Sequence, residues 1–134
     1  MSRRTIELGA SADLLKARLD AREMAQAAGL GVMDQTRFAT AVSELGRNAL
    51  VYGGGGACVL EDRSDTLQVR LLAEVCDQGP GIADIEQAMG EGYSTSGSLG
   101  AGLPGTRRLV DRFDLQSGSD GTVVRIEIVR RRRG

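Results

Sequence analysis

The sequence contains no histidine. That removes Ser-His and Cys-His nucleophilic chemistry, and it removes His-ligated metal sites. Lysine is almost absent too: sixteen of the seventeen basic residues are arginine, leaving Lys16 alone. Any general base must therefore be a carboxylate, Lys16 or a tyrosine. The two cysteines, Cys58 and Cys76, both fall in apolar strand-like runs. Buried reduced thiols are expected there rather than a disulfide framework. No secretory signal opens the chain, and no apolar run approaches the length of a membrane span. Cytoplasmic localisation without membrane insertion is the expectation. A net charge of −1 gives no support for nucleic-acid binding.

What is present is an ordinary globular composition, 41% hydrophobic over 134 residues, which suits one domain spanning 1–134. The 19 glycines are clustered, so they read as loop chemistry rather than disorder. The chain is organised around residues 36–52. Phe38, Ala41, Val42, Leu45, Ala49 and Tyr52 recur at helical spacing and predict one buried face. Asp34 stands where an N-cap would stand, and Met33 and Phe38 have the spacing of a hydrophobic staple. Thr40, Glu44, Arg47 and Asn48 line the flank. Glu44 and Asn48 are four apart, so one side chain lies above the other. A carboxylate above an amide can serve as a base and a cation ligand together. A solvated polar flank would show the same pattern.

The rest falls into order around that helix. Residues 4–8 read as a short strand. Ser11 caps a helix to about Ala28, with Leu14, Ala17, Ala21, Ala25 and Ala28 as its buried stripe. Residues 57–61 and 67–76 form an antiparallel pair around a turn at 62–65, with Leu67, Val69, Leu71, Ala73 and Val75 on the apolar side. A short helix follows at Ile82, Ile85 and Met89. Residues 90–102 are poor in apolar side chains and read as a lid. A helix from Leu103 to about Arg112 tolerates Pro104 in its first turn. Residues 113–117 and 122–129 close the chain as a hairpin, and the basic tail 130–134 reads as a solvated terminus. The fold class is α/β, a two-layer sandwich with helices on one face of a mostly antiparallel sheet.

Three glycine-bearing stretches carry chemistry. In Asp77-Gln78-Gly79-Pro80-Gly81, a carboxylate ends a buried strand beside glycines that allow close approach of a flat ring. A strand-ending turn would use the same residues. Gly100-Ala101-Gly102-Leu103-Pro104-Gly105 matches the dinucleotide fingerprint as a string, with Asp120 at about the ribose distance. The hydrophobic strand that must precede that motif is missing, which disfavours a dinucleotide-dependent oxidoreductase. The underlying physics remains: glycines opening a helix present free N–H groups to a phosphate. Tyr93, Ser94, Thr95 and Ser96 can add hydroxyl donors. Thr122 opens the last strand and can reach a base beside Asp77. The run Gly53 to Gly56 lacks the Gly-Lys-Ser/Thr end of a P-loop and reads as a flexible helix-to-strand connection touching none of these groups.

The order Glu44-x-x-x-Asn48, Asp77-x-Gly79-x-Gly81, Gly100-x-Gly102, Gly121-Thr122 resembles the N, G1, G2 and G3 boxes of the GHKL (Bergerat-fold) ATPases. Ser43-Glu44-Leu45-Gly46-Arg47-Asn48 and residues 92–105 resemble the RsbT-type serine/threonine kinases of bacterial partner-switching systems. The related anti-sigma kinases RsbW and SpoIIAB usually carry histidine where this chain has Tyr52. The resemblance implies ATP and Mg²⁺ as cofactors, Glu44 as catalytic base and Asn48 as Mg²⁺ ligand. It implies Asp77 as adenine reader, with Gly79, Gly81, Ser94, Thr95, Gly100, Gly102, Leu103 and Thr122 lining the nucleotide. Arg47 also matches the motif, without an assigned role. The implied substrate is a small STAS-domain antagonist, and the implied second partner is a phosphatase of the RsbU type. The rival within the resemblance is an ATP-binding regulator that sequesters a partner such as a sigma factor, against which an intact Glu44 argues.

Overall fold

A computed structural model describes residues 2–77, 102–118 and 121–132. The expected short helix at 82–89 and most of the lid lie outside them. The described elements run β1 (Ser2–Leu8), α1 (Ser11–Ala28), α2 (Val32–Gly53), β2 (Gly56–Asp62), β3 (Gln68–Asp77), α3 (Gly102–Leu109), β4 (Arg112–Gly118) and β5 (Gly121–Arg131). All strand pairs are antiparallel, in the order β1-β2-β3-β5-β4. The helices cover one face of the sheet, so the two-layer expectation holds.

Alternation along each strand decides what faces the helices. Ile6 and Leu8, Cys58 and Leu60, Val69, Leu71, Ala73 and Val75, and Val124, Ile126 and Ile128 are buried on that side. Phe38, Val42 and Leu45 of α2 meet them, and Phe38 is fully buried, a contribution of about 1.5–3 kcal/mol. Ala17, Ala21, Ala25 and Ala28 of α1 are buried as expected; Met24 joins them, while Leu14 is half-buried. This run of small side chains lets α1 and α2 pack closely. A Cβ on Gly46 would come within 2.9 Å of Leu14 Cδ2. A glycine inside a helix costs about 1 kcal/mol against alanine, and here it leaves space for the Leu14 side chain.

The helix ends differ from the sequence expectation. The N-cap of α1 is Ala10, not Ser11, because the Asp13 carboxylate takes both the Gly9 and Ala10 N–H groups at 2.9 Å. Gly29, at φ 96°, closes α1: its N–H reaches the Gln26 carbonyl and Leu30 N–H the Ala25 carbonyl, with Leu30 buried. The second helix starts at Val32, four residues early, so Asp34 lies inside its first turn and does not cap it. Met33 is 70% exposed, so the staple to Phe38 does not form; Tyr52 is exposed as well. Leu67 precedes β3 and is exposed rather than core.

Asp34 has a different task. Its two carboxylate oxygens accept Arg130 Nε and Nη2 at 3.0 Å each, and Arg130 Nη1 donates to Asp111 at 2.7 Å. Arg132 Nε donates to the Asp65 carbonyl, and its Nη1 to the Ala28 carbonyl. The start of the supposed solvated tail is thus the end of β5, bound to both long helices. The two cysteines also separate. Cys58 is buried, and desolvation pushes its thiol up to about 12; Cys76 is only half-buried, on the opposite sheet face.

On that opposite face Leu72 is nevertheless buried, beside Glu127. Arg70 Nη2 donates to Glu127 Oε1 at 3.0 Å, and Arg112 lies 3.7 Å from Oε2. The long charged side chains cover the leucine that strict alternation assigns to solvent.

Replacing Arg130 with alanine should lower stability by about 2 kcal/mol, because charge-assisted contacts to the half-buried Asp34 and the exposed Asp111 carboxylates are lost. Arg3, 67% exposed and 3.8 Å from Glu61, should change it by under about 0.5 kcal/mol. Urea midpoints at fixed slope compare the two variants directly.

Candidate functional site

The antiparallel register sets Asp77, the last residue of β3, directly opposite Thr122 of β5. Thr122 is in turn opposite Ser117 of β4. Alternation places all three on the face that carries Val75, Val124 and Leu115, the one the helices cover. A carboxylate and two hydroxyls therefore form a polar row at one end of an apolar surface. Ser117 Oγ and Thr122 Oγ1 are 2.8 Å apart, and Thr122 is buried. The hydrogen bond fixes the direction in which Thr122 presents its remaining donor or acceptor.

The last turn of α2 approaches the end of this row. A Cβ on Gly53 would stand 2.6 Å from Asp77 Oδ1, so the helix backbone abuts the carboxylate directly. The glycine run does touch a candidate site residue, contrary to its reading as a passive connection. Asn48 lies five residues before Gly53, about 7.5 Å along the helix axis, and Glu44 one further turn back. Both are half-buried. Gly54, at φ 71°, closes the helix, and Gly55 N–H returns to the Ala49 carbonyl at 2.9 Å.

The third component is α3. It opens at Gly102, and Leu103 is buried in the core next to it. Its first turn carries no acidic side chain of its own to offset the positive end of the helix dipole. Five further candidates, Gly79, Gly81, Ser94, Thr95 and Gly100, lie outside the described residues. Among the described residues, no group of three His, Cys, Asp or Glu side chains could enclose a metal ion. A cation at the Asn48 amide oxygen would therefore take its other ligands from phosphate and water, the habit of Mg²⁺.

Ser117 was not singled out in the sequence. Its signal was available, since Gly118 and Gly121 bound a tight hairpin whose register pairs Ser117 with Thr122. What concealed it was the ordinariness of serine in a strand next to a turn.

Residues 10–128 match the histidine kinase-like ATPase domain family. The chain is also 46% identical over 115 residues to the serine/threonine-protein kinase RsbT of Bacillus subtilis (strain 168), covering 84% of this chain and 85% of that protein. The chain belongs to the histidine kinase-like ATPase family, and within it to the RsbT type. Solved structures share the fold. The RsbU and RsbW domains of Rv1364c from Mycobacterium tuberculosis superpose with a TM-score of 0.68 at 19% identity, over the whole of this chain and 34% of that one. The histidine kinase domain of the Erythrobacter litoralis EL346 blue-light activated histidine kinase gives 0.50 at 23% identity, over 88% of this chain and 63% of that one. This chain thus spans about a third of the first of these structures. As a histidine kinase-like ATPase domain it binds ATP, and the row from Asp77 to Ser117 is the described part of its candidate pocket. No helix among the described residues is long and apolar enough to cross a membrane.

Ser117→Ala should weaken ATP binding by about 2- to 10-fold, the worth of one neutral hydrogen bond of about 0.5–1.5 kcal/mol. Ser117→Thr should retain most of the affinity. Titration calorimetry of both variants checks this.

Proposed function

We propose that this protein is a serine/threonine kinase that uses ATP with Mg²⁺ to phosphorylate a small STAS-domain antagonist. Released from that antagonist, it activates a partner phosphatase of the RsbU type in a stress-responsive partner-switching module. The activity named for its 46% identical relative supports the reaction class. The observation that carries the reading is local. One helix, α2, bears Glu44 and Asn48 one turn apart and ends against the Asp77 carboxylate.

In this reading Asp77 accepts a hydrogen bond from the exocyclic amine of adenine, with Thr122 beside it and Gly79 and Gly81 leaving space for the ring. Backbone N–H groups at Gly100 and Gly102 hold phosphate oxygens at the start of α3, with Ser94 and Thr95 adding hydroxyls and Leu103 anchoring that turn. Asn48 would hold Mg²⁺, which neutralises charge on the phosphates when bound. Glu44 takes the proton from the attacking serine or threonine hydroxyl. The hydroxyl oxygen bonds to the γ-phosphorus as the bond to the β-phosphate oxygen breaks, and ADP leaves. A purely sequestering regulator needs no base at Glu44.

Transfer from labelled ATP, with Mg²⁺, onto a STAS-domain protein encoded beside this one tests the proposal. Label should appear on a serine or threonine. Glu44→Gln should bind ATP normally and lose about 10²–10⁴-fold in transfer rate, the usual worth of a general base. Asp77→Asn should bind ATP about tenfold more weakly, losing one charge-assisted hydrogen bond. A wild-type rate in Glu44→Gln would refute the base assignment. Tight ATP binding with no transfer to any STAS protein would leave the sequestering regulator as the better account.

A further inference from the structure

We infer that Gly53 is a positioning residue for nucleotide base selectivity, acting through the Asp77 carboxylate; this rests on Asp77 reading the adenine amine. Gly53 is the last residue of α2, and its φ does not lie in the left-handed region. An alanine would normally be welcome at such a helical position. Here the space is taken. A Cβ would meet Asp77 Cβ and Cγ, with Oδ1 at 2.6 Å. Real Cβ atoms do not approach that closely, so one group must move.

The side chain of aspartate is short, and its Cβ is fixed by the backbone of β3 at a register position held by Gly56 on one side and Thr122 on the other. The carboxylate cannot swing clear by bending a flexible stem. Because Asp77 Cβ itself stands in the way, a new rotamer does not relieve the contact, and the end of β3 and the last turn of α2 must move apart. That movement carries the acceptor oxygens away from the row that Thr122 and Ser117 complete. A carboxylate displaced by a fraction of an ångström loses the directionality that distinguishes an amine donor from a carbonyl acceptor. Backbone alone at position 53 keeps Asp77 in place.

The test measures binding of ATP and of inosine triphosphate, which has a carbonyl where adenine has the amine, to the full chain with Mg²⁺. Wild type should prefer ATP. Gly53→Ala should lose about tenfold in ATP affinity, the equivalent of one charge-assisted hydrogen bond, and change little toward inosine triphosphate. General loosening of the fold would weaken both ligands alike. An unchanged preference in Gly53→Ala, alongside a preference lost in Asp77→Asn, would overturn the role of Gly53. An unchanged preference in Asp77→Asn would instead overturn the adenine-reader assignment beneath it.

Thermal melts without nucleotide supply a second arm, which holds even where Gly53→Ala folds poorly. Introduced into Asp77→Gly, which has no side chain to strike, Gly53→Ala should leave the melting temperature unchanged or raise it. An equal loss in both backgrounds would show that position 53 does not act through Asp77.

Discussion

Gly46 and Gly53 are seven residues apart on α2, two helical turns; a methyl group at the first would press on the tip of Leu14, and at the second there is no room for one. The first lies against Leu14 of α1, the second against the Asp77 carboxylate of β3. A helix can approach its neighbours only as closely as its smallest contact positions allow. Close approach at Gly53 sets the end of α2 against the end of the sheet, and Gly46 lets the Leu14 side chain lie against the helix. Glu44 and Asn48 ride on that same helix, so their positions relative to Asp77 follow from where glycine stands. The apolar contacts of Phe38, Val42 and Leu45 provide most of the binding between layers, but they are forgiving of small slides in a way that backbone contact is not.

Charge is distributed with a corresponding asymmetry. The start of α2 is tied to β5 by Arg130, which engages Asp34 and Asp111, while Arg132 reaches the end of α1 and the turn before β3. At the other end of α2 the described contacts are glycine against carboxylate and hydroxyl against hydroxyl. Ion pairs hold the start of α2, and near its end Asp77, Thr122 and Ser117 form a compact polar row. The almost wholly arginine basic set suits the first task, since a guanidinium can bridge two carboxylates at once.

The fold tolerates wide change in sequence: a solved structure only 19% identical superposes over the whole of this chain. A two-layer sandwich asks only for apolar residues in the right period. The polar row of Asp77, Thr122 and Ser117 asks for particular residue types at particular register positions.

Periodicity in the sequence determined the elements and their order, because burial of one face needs only the periods of 3.6 and 2. Box spacing in the sequence marked the candidate site residues: Glu44 and Asn48 one turn apart, and Asp77 at a strand's end. Helix ends were less legible. Asp34 has the composition of an N-cap, yet its carboxylate is held by Arg130, ninety-six residues away in sequence. The tail read as solvated for the same reason, since its partners come from α1, α2 and the turn before β3. Tertiary structure alone decided that Ser117 meets Thr122 across two strands and that Gly53 supports Asp77 from a different layer. Local pattern carries the period of a chain; it does not carry the distance between segments, and the space left by a missing side chain has meaning only once a neighbour is there to occupy it.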